Sequence, residues 1–256
     1  MILSRRIALD NIQLDSLDAS IVIRSFDPGT PKQDISAVDR MGGAGQRVTM
    51  KHWQMLEAKL VFAIDKPKRN ITQRNQVFEM VKQWALGKGW LTFNGMNSLQ
   101  MWVEEVVVPS RGDLRVFDEE YTILFRNYNV PFWLNKTHTT ASETLDTGVF
   151  DITIPGDVET VLNARITNSS GGTIDAITIG IDGHQLVFTA MTLENGETLV
   201  INHGTDGLLR TTIDGVSVYG KLTGSDDLVT RPGTRTVSVE CEGLLNVVVS
   251  CQGRFI

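Results

Sequence analysis

Residues 71–133 read ITQRNQVFEMVKQWALGKGWLTFNGMNSLQMWVEEVVVPSRGDLRVFDEEYTILFRNYNVPFW, and their patterning decides what kind of fold the chain adopts. Val77, Met80, Val81 and Trp84 fall at i, i+3, i+4 and i+7, the spacing that gathers side chains onto one helix face, so a helix is predicted over about 72–86. Thr72 is the candidate N-cap, and Gly87 and Gly89 stand where a left-handed cap or tight turn would end the helix. Residues 90–93 then switch to strand composition, Asn94-Gly95 is a turn signal, and 99–108 alternates as one long strand. Tyr121, Ile123 and Phe125 mark one face of a further strand over 118–126. A single helix among strands predicts a mainly β protein.

Moving toward the N-terminus, residues 56–64 alternate in the same way, with Leu56, Ala58, Leu60, Phe62 and Ile64 on one face. They predict a long central strand. Residues 65–70 form a basic connection into the helix, and His52 reads as a surface or strand-edge residue. Met41-Gly42-Gly43-Ala44-Gly45 is too glycine-rich for a helix or central strand and reads as a surface loop or the tip of a projecting hairpin. It lacks the Gly-Lys-Ser/Thr ending that a phosphate-binding loop requires. Short strand-like runs at 6–9 and 20–24 precede a turn at 26–31.

The two halves differ chemically. Residues 1–134 carry 17 Lys+Arg against 15 Asp+Glu, a net of +2, whereas 135–256 carry 7 against 15, or −8. All five tryptophans lie in the first half, and the second has only Phe150, Phe188, Tyr219 and Phe255 as aromatics. Neither half has the concentrated basic surface of a nucleic-acid binder, and no apolar run approaches the ~18 residues of a membrane helix. The start at Met1–Arg6 lacks the order of a secretory signal. Cys241 and Cys251 read as reduced, on two strands of a hairpin turning near Gly243-Leu244 whose spacing disfavours their pairing.

Residues 135–148 are rich in Thr, Ser and Asn without apolar periodicity and read as a linker. Beyond them, short strands at 149–154, 158–167, 174–181, 186–189, 198–201, 236–241 and 246–255 are punctuated by turns such as Asp182-Gly183, Asp214-Gly215 and Pro232-Gly233. That spacing suggests a sandwich or jelly roll.

The order of elements in the first half resembles the N-terminal domain of distal tail proteins from long-tailed phages and prophages. It runs from a long alternating strand through a helix ending in Trp-Ala-Leu-Gly, a Trp-Leu strand and a strand closing in Val-Pro, to Tyr-Thr-Ile-Leu-Phe-Arg and Pro-Phe-Trp. The stretch from Asp227-Leu228 through Arg231-Pro232-Gly233-Thr234 to Arg254-Phe255 is similar to that family's ending. The fold expected is mainly β: an N-terminal β-sandwich-like domain with one α-helix over 1–134, a linker at 135–148, and a C-terminal β-sandwich over 149–256, a galectin- or carbohydrate-module-like jelly roll. The function the resemblance implies is a virion structural protein of the tail tip, assembled in the host cytoplasm. It would form a hexameric ring that joins the tail tube protein to a lysin-like tip or baseplate hub, with a tape-measure or receptor-binding protein as a further partner. Met41, Gly42, Gly43, Gly45 and Arg47 are the candidate inter-subunit arm.

A glycan-binding module acting in adsorption is the alternative, weakened by the shortage of aromatic platforms in the second half. Glu104 and Glu105, as strand neighbours, point to opposite faces and cannot act as a carboxylate pair. The aspartates at 175, 182, 206, 214, 226 and 227 lack EF-hand spacing, and several are turn residues before glycine. His138, His184 and His203 stand apart in loop-like sequence, and no nucleophile or zinc motif is present. No cofactor and no enzymatic activity are expected.

Overall fold

The computed structural model describes residues 6–39, 46–65, 70–109, 120–225 and 227–256. The chain divides into two compact units, Met1–Trp133 and Leu134–Ile256.

The first unit contains β1 (Ile7–Leu9), β2 (Ile12–Gln13), β3 (Ile21–Asp27), β4 (Gln33–Asp39), β5 (Gln46–Trp53), β6 (Leu56–Ile64), α1 (Ile71–Leu86), β7 (Gly89–Phe93), β8 (Leu99–Val103), β9 (Glu105–Val107) and β10 (Glu120–Asn127). One antiparallel sheet runs β3-β6-β10-β9, and a second pairs β2-β1-β7-β8. The strand expected at the centre is there: β6 pairs with β10 from Leu56↔Asn127 to Ala63↔Glu120 and with β3 on its other side. Its alternation buries Leu56, Ala58, Leu60, Phe62 and Ile64 beside Tyr121, Ile123 and Phe125. Phe26 of this sheet meets Phe93 of the other at 4.8 Å, while Phe78 and Trp84 of α1 pack edge-on against Tyr121 and Phe125. Trp84 Nε1 also donates to Ile12 O at 2.9 Å, so both the helix and the second sheet close over the same apolar face.

Three expectations change here. The helix cap is Asn70, whose side chain accepts from the Thr72 N–H at 2.8 Å, and not Thr72. Met80 is exposed and Phe78 is buried in its stead, because the inward stripe runs through Arg74, Val77, Phe78, Val81, Trp84 and Ala85. The long strand expected over 99–108 breaks at Glu104: β8 belongs to one sheet and β9 to the other. Glu104 sits at this switch and accepts from the Tyr128 and Asn129 main-chain N–H groups and from Asn129 Nδ2, which binds the corner after β10.

β11 (Trp133–Asn135) carries the chain across the boundary between units. The second unit contains β12 (Thr139–Leu145), β13 (Gly148–Ile154), β14 (Thr160–Val161), β15 (Asn163–Asn168), β16 (Ile177–Ile181), β17 (His184–Phe188), β18 (Thr198–His203), β19 (Leu209–Ile213), β20 (Val216–Ser217), β21 (Leu222–Gly224), β22 (Val229–Thr230), β23 (Gly233–Cys241), β24 (Leu245–Cys251) and β25 (Arg254–Phe255). Two antiparallel sheets, β12-β24-β15-β18-β19-β20 and β13-β23-β16-β17-β21, share one apolar cluster that includes Ile166, Ile179, Leu186, Phe188, Leu199, Val239 and Val247. The unit is sandwich-like. Asp182 and Gly183, both at positive φ, form the two-residue turn that joins β16 to β17, as the Asp-Gly pair predicts.

The expected linker at 135–148 is instead largely strand, since β12 pairs residue for residue with β24 from Thr139↔Cys251 to Leu145↔Leu245. It lies at a sheet edge with most of its side chains in solvent, and a strand so placed needs no apolar stripe. The hairpin expected between the cysteine strands is a crossover: β23 and β24 belong to opposite sheets. Both thiols are free, and Cys251 is fully buried. Burial pushes the Cys251 thiol up to about 11, and burial followed by the Asp146 charge raises that of Cys241, so both stay protonated at neutral pH. An aromatic disulfide reagent at pH 8 should therefore modify neither at the rate of a free thiol, and denaturant should release two. A fast native reaction at Cys251 would contradict its placement.

Candidate assembly surface

The hairpin β4–β5 stands apart from the other described strands. Its strands pair only with each other, from Gln33↔Trp53 to Asp39↔Gln46, with a bulge between Ser36 and Ala37. Ile35 on it is 54% exposed, and His52 Nε2 lies 3.4 Å from Asp34 across the ribbon, both side chains half in solvent. The root is held firmly. Trp53 packs edge-on against Phe132 at 5.2 Å, Gln54 N donates to Lys32 O at 2.8 Å, and Trp133 Nε1 donates to Pro28 O at 3.1 Å. The turn beneath it is tied by Gly29 N donating to Asp27 Oδ1 at 2.9 Å. An anchored root below a two-stranded ribbon is the geometry of an arm, because a ribbon of this kind is only marginally stable by itself and gains from docking. Of the residues singled out in the sequence, Arg47 lies on β5 opposite Val38, while Met41, Gly42, Gly43 and Gly45 lie outside the described residues.

A second feature was not singled out in the sequence. Trp90 and Trp102 are cross-strand partners on β7 and β8, with ring centroids 5.3 Å apart at 69°. Their inward neighbours Leu91, Met101 and Val103 are fully buried, so the tryptophans occupy the outward face and are only half covered. Paired, part-exposed tryptophans are a common anchor in protein interfaces. The signal was available, since both alternate with core residues. Elsewhere on the unit, Arg126 lies between Glu57 and Glu105 at 2.8 and 3.2 Å, and Tyr128 OH donates to Glu105. The Tyr128 hydroxyl and then Arg126 hold the Glu105 carboxyl below its usual range. This network braces an exposed face.

His203 departs from its loop-like reading. It ends β18, continues the inward alternation of Leu199 and Ile201, and is nearly buried. Asn163 Oδ1 accepts from both its main-chain N–H and ring Nδ1, and Nε2 lies 2.7 Å from Asp227 Oδ1. Both nitrogens are thus taken up in tying β15 and β18 to the segment before β22. Among the described residues no group of three His, Cys, Asp or Glu side chains is arranged to hold a metal ion, and no helix is long and apolar enough to cross a membrane.

No family model matches the sequence, and no curated protein does either. Similarity appears in the fold. The SPP1 Dit protein, described as a paradigm of the hub adsorption apparatus in phages infecting Gram-positive bacteria, is 12% identical, with 97% of this chain and 98% of that one covered and a TM-score of 0.68. A chain of the phage P2 baseplate in its activated, calcium-containing conformation is 11% identical, with 98% and 99% covered and a TM-score of 0.50. Across both units, the chain shares its fold with phage tail-tip and baseplate proteins.

Proposed function

We propose that the protein is a non-enzymatic structural subunit of a phage or prophage tail tip. In this reading six copies close a ring between the tail tube protein and a lysin-like tip or baseplate hub, with a tape-measure or receptor-binding protein as a further contact. The observation that carries the reading is the fold match to the SPP1 Dit protein over 97% of this chain and 98% of that one. The second unit, in the same reading, is a galectin-like jelly roll.

Ring closure needs two unlike surfaces on each copy, and a persistent joint buries at least ~1,000 Å². The β4–β5 ribbon supplies one of them, with exposed Ile35 and open backbone edges suited to a neighbouring copy. The purified full chain should give a six-copy mass by native mass spectrometry and rings in electron micrographs. Replacing residues 34–52 by a short Gly-Ser link should convert rings to monomers with little change in melting, because those strands pair only with each other. A wild-type protein that stays monomeric at all concentrations and with added tube protein would sink the proposal, as would a ring that survives the deletion.

A further inference from the structure

We infer that the second unit carries a binding site for one ring or short stretch of a neutral polyhydroxylated ligand, a sugar or sugar alcohol with adjacent hydroxyls. The place is a cleft of about 240 Å³ lined by Glu159, Asp182, His184, Val229, Arg231 and Arg235. Four segments meet there: the Asp182-Gly183 turn with the start of β17, the stretch before β14, β22, and the Arg231-Pro232-Gly233 corner leading into β23.

The inner polar groups are built and held. Asp182 Oδ2 accepts from Thr230 Oγ1 at 2.9 Å and from the Arg231 main-chain N–H at 3.1 Å. Arg235 donates from Nε to Arg231 O at 3.3 Å and from Nη2 to Pro232 O at 2.9 Å, with Asp182 3.6 Å from its Nε. Those contacts fix the guanidinium plane and the carboxylate plane against each other. At the rim, Arg231 Nε donates to Glu159 Oε1 at 3.2 Å.

What remains unused is the informative part. Arg235 Nη1, both terminal nitrogens of Arg231, Asp182 Oδ1, Glu159 Oε2 and the His184 ring have no partner among the described residues. Donors and acceptors therefore line one small cleft side by side. A hydroxyl both donates and accepts, so a pair of adjacent hydroxyls can accept from a guanidinium and donate to a carboxylate at once. Two arginines and two carboxylates cancel in formal charge, which favours a neutral ligand over phosphate or a free carboxylate, because either anion would lie against Asp182 and Glu159. Val229 supplies the apolar wall, and no Phe, Tyr or Trp side chain lines the cleft to serve as a stacking platform, so affinity per site should be about millimolar. Repetition around an assembly would raise the effective affinity, and that gain alone rests on the ring reading above.

The experiment uses the full chain, labelled with nitrogen-15 and titrated singly with glucose, galactose, N-acetylglucosamine, ribitol and glycerol, and with inorganic phosphate as the anionic comparison. Saturable shifts confined to amides around 182–185 and 229–235 are expected with at least one polyol and not with phosphate. A sugar-only response assigns a glycan ring, and a ribitol or glycerol response assigns a polyol chain. Arg231→Ala and His184→Ala sit at the rim without structural bonds beyond Glu159, so each should weaken binding about tenfold at unchanged melting temperature. The inference is overturned if no polyol shifts these amides, if phosphate alone does, or if both variants bind like wild type. Each shift reports a single site, so the affinity it gives does not depend on whether rings form, and deuteration with transverse-relaxation-optimised detection keeps the amides readable in a six-copy assembly.

Discussion

Phe188→Ala is expected to destabilise the second unit by about 3–5 kcal/mol and leave the first unit unaffected. Phe188 ends β17, is completely buried, and belongs to the apolar cluster that both sheets share. Truncation removes its contacts and leaves a void that the surrounding strands, each hydrogen-bonded on both sides near the centre, cannot fill. For a domain of this size the loss corresponds to a fall in melting temperature of roughly 10–30 °C. The chain carries its own control: all five tryptophans lie in residues 1–133, so tryptophan fluorescence follows the first unit, while calorimetry and far-ultraviolet circular dichroism follow both. The variant should move one calorimetric transition down and leave the fluorescence transition in place. Equal movement of both signals would mean the two cores do not melt as separate cooperative units.

The complementary result is expected from Gly29→Ala, which should destabilise the first unit by roughly 2–5 kcal/mol. Gly29 has φ +68, and a Cβ there would lie 2.0 Å from the main-chain oxygen of Glu57. Strand β6 is paired on both sides and cannot retreat, so the turn itself must move. It carries Pro28 O, the acceptor of the Trp133 indole, and leads directly into the β4–β5 ribbon. The fluorescence transition should fall and the indole environment change in the native state, with assembly weakened beyond what the loss of stability explains. Gly183→Ala is the reference: φ is +86 but no atom lies within 4 Å of the added methyl, leaving backbone strain alone, about 1–2 kcal/mol. If the two variants cost the same, the close approach at Gly29 is not what matters there.

What could be read from the chain, and what could not, follows from how burial writes itself into sequence. Strands β6 and β10 sit at the centre of a sheet, so their burial alternates, strictly in β10 and up to Phe62 in β6, and the reading succeeds. The helix is legible, with Val77, Val81 and Trp84 inward as their spacing predicts, but Phe78 and not Met80 completes the stripe because several apolar residues compete, and the capping Asn70 lies two residues before Thr72. Edge strand β12 escaped notice because an edge with its side chains in water has no apolar signature. The switch at Glu104 and the crossing between β23 and β24 are tertiary choices: each strand looks alike whichever sheet accepts it. The glycine run at 41–45 leaves a surface loop and the tip of a projecting hairpin both open in the sequence and lies outside the described residues, whereas the alternation that turns Trp90 and Trp102 outward is legible and only the register that sets their rings together is not. The polar cleft could not be read at all, for its lining comes from four segments scattered between Glu159 and Arg235.

The crossing between β23 and β24 also governs when this unit can become a folded object on the ribosome. β24 lies between β12 and β15, and β23 between β13 and β16, so the two latest long strands complete the middles of both sheets. Their partners β12 and β13 are made some hundred residues earlier, and neither can pair its backbone with those late strands in the meantime. Translation therefore exposes unpaired strand edges until nearly the whole unit has emerged, and a chain halted before β23 keeps them exposed.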